Sequence, residues 1–159
     1  HMKIYVVDFE EVLRNYIPYQ ESLEKIQNEK NRFSDDVQLI KKEMETIINS
    51  SKSLLLDDKT KYENANRFKE LQEKGLKLES DFRQHLTEMQ NEELESNYNK
   101  VSYMIQEWAE KSDIDIVISK SSAIFTNEKI DATDAILNLL EENGYYKEFK
   151  TYVDPLISS

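Results

Sequence analysis

Apolar side chains recur at steps of three and four from Tyr19 to Trp108, and residues 19–111 contain no proline and a single glycine. That spacing puts them on one stripe of an α-helix. The first run passes through Tyr19, Leu23, Ile26, Phe33, Val37, Ile40, Met44, Ile47 and Leu54, with Lys30 and Ser51 as polar members. The second passes through Phe68, Leu71, Gly75, Leu78, Phe82, Leu86 and Met89, then changes frame, as a stutter does, to Leu94, Tyr98, Val101, Ile105 and Trp108. A helix this long with one narrow stripe needs a partner helix to cover it. Apolar residues thin out between Asp57 and Asn66. The chain is therefore expected to fold back there, as an antiparallel coiled-coil hairpin over 19–111 with arms of about 60 Å at 1.5 Å per residue.

The flanks carry a different pattern. Lys3–Val7 (KIYVV) is a short β-branched run, apolar on both faces, and predicts a strand covered on both sides. Asp8 stands at an N-cap position with Glu11 three residues on, the spacing of a reciprocal capping box ahead of a short helix from Phe9 to about Asn15. Pro18 ends that helix and suits the first turn of the long one. After Lys111, Ser112 and Asp113 break the helix, Ile114–Ile118 predicts a second strand, and Ala123–Phe125 a third. Asp131 and Asp134 repeat the cap logic before Ala135, Ile136, Leu139 and Leu140, a short helix closed by Gly144. Residues 1–18 and 112–159 thus form one β-rich platform, and the fold class is mainly α with a small β body. Three short strands bury too little surface alone, so copies from several chains are expected to assemble through it. Its candidate assembly residues are Ile4, Val6, Ile116, Ile118, Ile124, Phe125, Ile136 and Leu140. The aromatic tail from Tyr145, with Tyr146, Phe149 and Tyr152 before Pro155, reads as a latch packed back on this body.

Composition narrows the function classes. The chain lacks cysteine, which removes disulfides, thiolate metal sites and a cysteine nucleophile. Outside the first residue His85 is the only histidine, and carboxylate pairs such as Asp35–Asp36 and Glu92–Glu93 point in different directions on a helix. No catalytic residue, metal or cofactor is therefore expected, and the chain does not read as an enzyme. The net charge of -11 argues against nucleic acid and anionic membrane surfaces, and no apolar run approaches the roughly 18 residues of a spanning helix. Residues 19–111 hold 15 Lys/Arg against 20 Asp/Glu, a mixed solvated face rather than an acidic tail. His1-Met2 looks like the remnant of a cleaved purification tag.

Several apolar residues lie off the seam. Leu39, Ile48, Leu55, Leu56 and Leu76 sit beside seam positions and are not needed to zip the hairpin. Gly75 sits on the seam, where it removes a knob and costs about 1 kcal/mol relative to alanine, which makes it a hinge candidate.

Two segments carry a resemblance. KIYVVDFEEVL at Lys3–Leu13 resembles the opening strand and capped helix of the Skp/OmpH family of periplasmic chaperones, and IDIVISKSSAIFTNEKIDATDAILNLL at Ile114–Leu140 is similar to its closing segment. The resemblance reaches nearly to Gly144. It implies a homotrimer in which strands of three subunits form a body and three hairpins hang from it as tentacles around a cavity. It further implies a periplasmic protein whose leader has been removed, and an ATP-independent holdase that keeps unfolded outer-membrane proteins from aggregating, without stable insertion in the membrane, with the off-seam Leu39, Ile48, Leu55, Leu56 and Leu76 as candidates for transient client contact. The chain has no glycine-rich phosphate loop, in agreement. The best-known members are basic whereas this chain is acidic, so lipopolysaccharide or anionic-lipid binding is not carried over. A structural spacer or adaptor, gripping a folded partner at the hairpin tip around Leu54–Tyr62, is the competing reading.

Overall fold

The computed structural model describes residues 1–150. Its elements run β1 (Ile4–Val7), α1 (Phe9–Arg14), α2 (Ile17–Ser51), α3 (Asp58–Lys111), β2 (Ile116–Ser119), two short 3-10 turns (Lys120–Ser122 and Glu128–Ile130) and α4 (Thr133–Glu142). Two long helices and a two-stranded sheet give the mainly helical hairpin architecture that the periodicity predicts. The chain divides into two compact units, one built from His1–Leu23 with Glu92–Ser159, the other from Glu24–Asn91.

In the first unit, β1 and β2 pair in parallel, with Ile4 opposite Ile116 and Val6 opposite Ile118. Side chains alternate across a strand, so Ile4, Val6, Ile116 and Ile118 share one face and Tyr5, Val7, Val117 and Ser119 the other. The second face meets the core. Val7, Val12, Val101, Ile136 and Leu140 are each no more than 1% exposed there, with Tyr5, Phe9, Leu13, Met104 and Trp108 packed around them. The far edge of β1 is held by the backbone of residue 132, whose amide donates to Val6 O at 2.8 Å.

Asp8 caps α1 by accepting the Glu11 amide at 3.1 Å, as its position predicts. The reciprocal half of the expected capping box is corrected: the Asp8 amide donates to Thr133 Oγ1 at 2.9 Å, so α4 fills the place assigned to the Glu11 side chain. Both α3 and α4 end on a left-handed residue. Asp113 has φ 53° and Gly144 φ 75°, and in each case the next amide reaches back five residues, Ile114 N to Ala109 O and Tyr145 N to Leu140 O, both at 2.9 Å. Glycine adopts that φ without cost and aspartate tolerates it.

The expected third strand is absent. Ala123–Phe125 is irregular, and Ile124 and Phe125 are fully or largely exposed at 108% and 81%. A β-branched run needs a hydrogen-bonding neighbour to become a strand, and within one chain this run finds none. Of the shifted frame expected after Met89, Val101 and Ile105 are buried and Trp108 packs against the core, but the place expected of Tyr98 is taken by Asn97. The buried positions of α3 in this unit are Asn97, Val101 and Ile105, while Tyr98 is 53% exposed. Polar Asn97 takes a seam place because it is satisfied there: its amide donates to Ser22 Oγ at 2.8 Å and to Glu93 O at 2.9 Å, and Ser22 in turn donates to Glu93 Oε2 at 2.8 Å.

The tail segment before residue 151 binds the corner between α1 and α2. Ile17 N donates to Tyr145 O at 2.8 Å, Lys147 N to Asn15 O at 3.0 Å, and Phe149 N to Asn15 Oδ1 at 2.7 Å. Tyr152 and Pro155, which belong to the expected latch, lie outside the described residues.

In the second unit α2 and α3 run antiparallel. Phe33 stacks on Phe82 with ring centres 4.1 Å apart, Glu43 pairs with Arg67 at 2.7 Å, and Asn64 lies 3.4 Å from the Ser50 and Ser51 hydroxyls, so partner numbers fall as first numbers rise. The seam buries Ile26, Ile40, Leu71 and Met89. The turn comes at 52–57, ahead of the expected 57–66. The reason is local: Asp57 accepts the Thr60 amide at 2.7 Å and so starts α3, and the polar residues from Asp58 onward are its solvated first turns. Leu54, expected on the seam, lies in the turn and is 98% exposed.

Candidate functional site

Three surfaces among the described residues leave apolar side chains or a groove open to a partner. Among the described residues no group of His, Cys, Asp and Glu is arranged to hold a metal ion. His85 Nε2 lies 3.6 Å from Glu29 Oε2 on the exposed flank of the hairpin. The titrating groups with displaced pKa values are structural. Arg67 is raised by its hydrogen bonds and charge contact with Glu43. The Thr133 hydroxyl, with help from Lys120 at 3.1 Å, holds Asp131 below the usual carboxylate range. Burial, followed by neighbouring Tyr145, raises Tyr16. Each is explained by a cap, an ion pair or a core position.

The first surface is the hairpin flank and tip. Leu39, Ile48, Leu55 and Leu76 are exposed, at 67% for Leu39 and 94% for Leu55, and Leu56 is half-buried. Leu54 and Tyr62 add to the tip. Ile47, Ile48, Ala65 and Phe68 line a groove of about 500 Å³ that Lys52 and Lys61 flank. Exposed aliphatic side chains on a hairpin bind other apolar groups weakly and reversibly, because each contributes only the surface it can cover. Gly75 lies within unbroken α3, and a Cβ there would stand 4.0 Å from Ile40 Cγ2.

The second surface is the open face of the sheet. The eight candidate assembly residues separate into two sets. Val6, Ile136 and Leu140 are buried inside the chain's own fold, the last two in the core itself. Ile4, Ile116, Ile118, Ile124 and Phe125 are exposed, and Ile4 and Ile116 are direct cross-strand neighbours. Sequence periodicity alone cannot make that distinction, since all eight sit in similar apolar runs.

The third is a groove that sequence reasoning missed, between the core-facing side of β2 and the C-terminal turns of α3. Its floor is Val7, Ile105 and Val117, and Phe9 and Tyr98 stand as an aromatic wall with ring centres 4.5 Å apart. Residues of four elements meet there, and no spacing along the chain announces it.

No helix among the described residues is long and apolar enough to cross a membrane. No curated protein matches the chain. The opening strand with its Asp8 cap, the hairpin and the closing β2 to α4 segment are the parts that one family model spans. That model, described as outer membrane protein (OmpH-like), matches residues 3–140, and the chain belongs to this family.

Proposed function

We propose that this chain is an ATP-independent holdase that works as a homotrimer, joined through the open sheet face and holding unfolded outer-membrane proteins between its hairpins. Its family is one of periplasmic outer-membrane-protein chaperones rather than enzymes. The observation that carries the finer reading is the exposure of apolar side chains off the seam, Leu39, Leu55 and Leu76 above all. Fully burying one such side chain stabilises by about 1.5–3 kcal/mol, and partial burial by less, so a single contact releases quickly. Several contacts from several arms hold a chain by avidity without an energy source. In the body, Ile4, Ile116, Ile118, Ile124 and Phe125 support assembly: a face this apolar is more stable against copies of itself than against water.

Two measurements test the reading. Light scattering should return three times 18.9 kDa. Stoichiometric protein should suppress aggregation of an outer-membrane protein diluted from urea, and the combined Leu39→Ser, Leu55→Ser, Leu76→Ser variant should suppress it several-fold less while keeping its helix content. A monomer, or wild-type protein that leaves aggregation unchanged, defeats the proposal. The adaptor reading rests on the tip, where Leu54 and Leu55 are almost fully exposed beside the Ile48 and Phe68 groove. Recovery of one folded partner, lost in Leu54→Ser with Leu55→Ser, together with no binding of unfolded chains, would favour it.

A further inference from the structure

The segment that follows α4 is seated by its backbone more than by its side chains. Tyr145 O accepts from Ile17 N at 2.8 Å, and Lys147 N donates to Asn15 O at 3.0 Å. Lys147 O then accepts from Gln20 Nε2 at 2.7 Å, and Phe149 N donates to Asn15 Oδ1 at 2.7 Å. Every second residue thus turns its main-chain atoms to the corner between α1 and α2, as a strand does toward its neighbour, and Tyr16 and Tyr146 form an antiparallel bridge. Bonds of this kind do not read side chains. Tyr145 and Phe149 stay 44% and 39% exposed, and of residues 145–150 only Tyr146 packs against the core.

The receiving side is fixed by bonds of its own. Asn15 is buried and donates from Nδ2 to Glu11 O at 2.8 Å, which leaves its side-chain oxygen as an acceptor. Gln20 makes a second donation, to Arg14 O at 2.8 Å. Ile17 N belongs to the first turn of α2, whose amides find no carbonyl within the helix. Two aromatic places lie four residues apart along the bound segment. At one, the ring of buried Tyr16 stands 5.7 Å from that of Tyr145; at the other, Phe149 shares with Gln20 and Leu23 a groove of about 420 Å³. Charge adds a preference. Of 21 Lys/Arg and 32 Asp/Glu, residues 24–91 hold 13 and 14, which leaves 8 against 18 in the unit that contains the corner. So acidic a unit favours neutral or basic segments, and residues 145–150 carry Lys147 and Lys150 against Glu148.

We propose that the corner between α1 and α2 is a receptor for extended segments of an unfolded client that carry aromatic residues four apart, and that residues 145–150 occupy it as a tethered stand-in until such a segment displaces them. A short tether keeps a weak ligand in place through a local concentration on the order of millimolar, and the ligand still gives way to a competitor. The naming of a client as that competitor rests on the holdase reading; the receptor itself does not. None of its residues belongs to the open sheet face or to the exposed flank of the hairpin.

The test uses the full-length protein and a labelled, end-capped peptide with the sequence of Tyr145–Lys150, read by fluorescence anisotropy. Lys147→Pro with Phe149→Pro removes both donating amides of the segment, outside any helix. That variant should keep its helix content and bind the peptide roughly tenfold or more tightly than wild type, whose own segment competes. Adding Gln20→Ala should weaken the peptide about three- to tenfold, the worth of one hydrogen bond. A peptide with serine at both aromatic places should also bind several-fold less. In wild type, which needs no substitution, an unfolded outer-membrane protein should speed amide exchange at Lys147 and Phe149. Equal peptide binding by wild type and the double proline variant overturns the proposal and leaves the segment as a brace. So do Lys147 and Phe149 amides that stay protected while aggregation is suppressed normally. Failure of the holdase reading looks different: wild type then leaves aggregation unchanged, the client half falls with it, and the peptide comparison alone decides on the receptor.

Discussion

The two units of this chain are held together in opposite ways. The first closes around side chains removed from water on every side: Val12, Val101, Ile136 and Leu140 come from α1, α3 and α4, and the sheet and Tyr16 complete the enclosure. The second has one seam between two helices, in which only Leu71 is completely buried and the flanking charges are solvated. Charge follows the same division. The second unit is close to neutral, whereas the first, through the excess of 18 carboxylates over 8 basic residues, carries nearly all of the net charge of -11. A closed core tolerates that self-repulsion because its apolar burial is large; a two-helix seam has less to oppose it with. The chain thus keeps its acid where the packing is deepest.

If that difference is right, truncating a core residue in each unit should have unlike consequences. Ile136→Ala is expected to cost about 2–5 kcal/mol, the range for deleting a buried branched side chain, and to lower the urea midpoint for the first unit as a whole. Leu71→Ala should sit at the low end of that range, about 2–3 kcal/mol, because a half-open seam relaxes around the gap. Its signature is faster amide exchange confined to the hairpin near Leu71 and Ile40. Equal, global losses from both would show that the two units unfold as one.

Acid should separate the units more gently. Asp131 accepts from the Thr133 amide at 2.9 Å and from the Thr133 hydroxyl, and pairs with Lys120, so its carboxyl titrates below its ordinary value. A depressed folded pKa adds stability above the unfolded value of about 3.9, and that stability is lost as pH falls through the folded value. Asp131→Ala is therefore expected to lower stability by about 1–2 kcal/mol near neutral pH, the worth of a helix-start acceptor. The gap from wild type should narrow below about pH 4, as the wild-type carboxyl protonates. Thermal melts across that range check it, and a gap constant down to pH 2 would mean that the carboxylate charge plays no part.

The contrast between units also sorts what could be read from the chain beforehand. The hairpin was legible because a three-and-four period over dozens of residues has no other explanation, and the Asp8 cap and the Gly144 ending because those residue types have few other uses. What stayed hidden depends on partners far along the chain. The parallel pairing of Ile4 with Ile116, the donation from the Asp8 amide to Thr133, and Asn97 seated on Ser22 each join residues that no local window contains. The turn was placed late because charged, apolar-poor sequence looks alike in a loop and on the outside of a helix. Ala123–Phe125 reads as a strand by composition but has no neighbour in its own chain. The groove over Val117 needed the fold before it could be seen.

The smallest effect tests the seam directly. Gly75 lies in mid-helix with a negative φ, and a β-carbon added there meets only Ile40 Cγ2 at 4.0 Å, an ordinary van der Waals distance. Nothing in the packing requires glycine. Gly75→Ala should therefore stabilise the hairpin by about 0.5–1 kcal/mol through the backbone entropy that alanine does not lose, and slow amide exchange around residue 75. If glycine serves instead as a flexing point for client capture, the same variant should gain stability and lose capacity to suppress aggregation. A gain in stability with unchanged capacity would remove the hinge role and leave Gly75 as a tolerated weak position. A loss of stability would mean that the seam at Ile40 is packed too tightly to accept a methyl group, and that the second unit is closer to a true core than its exposed flanks suggest.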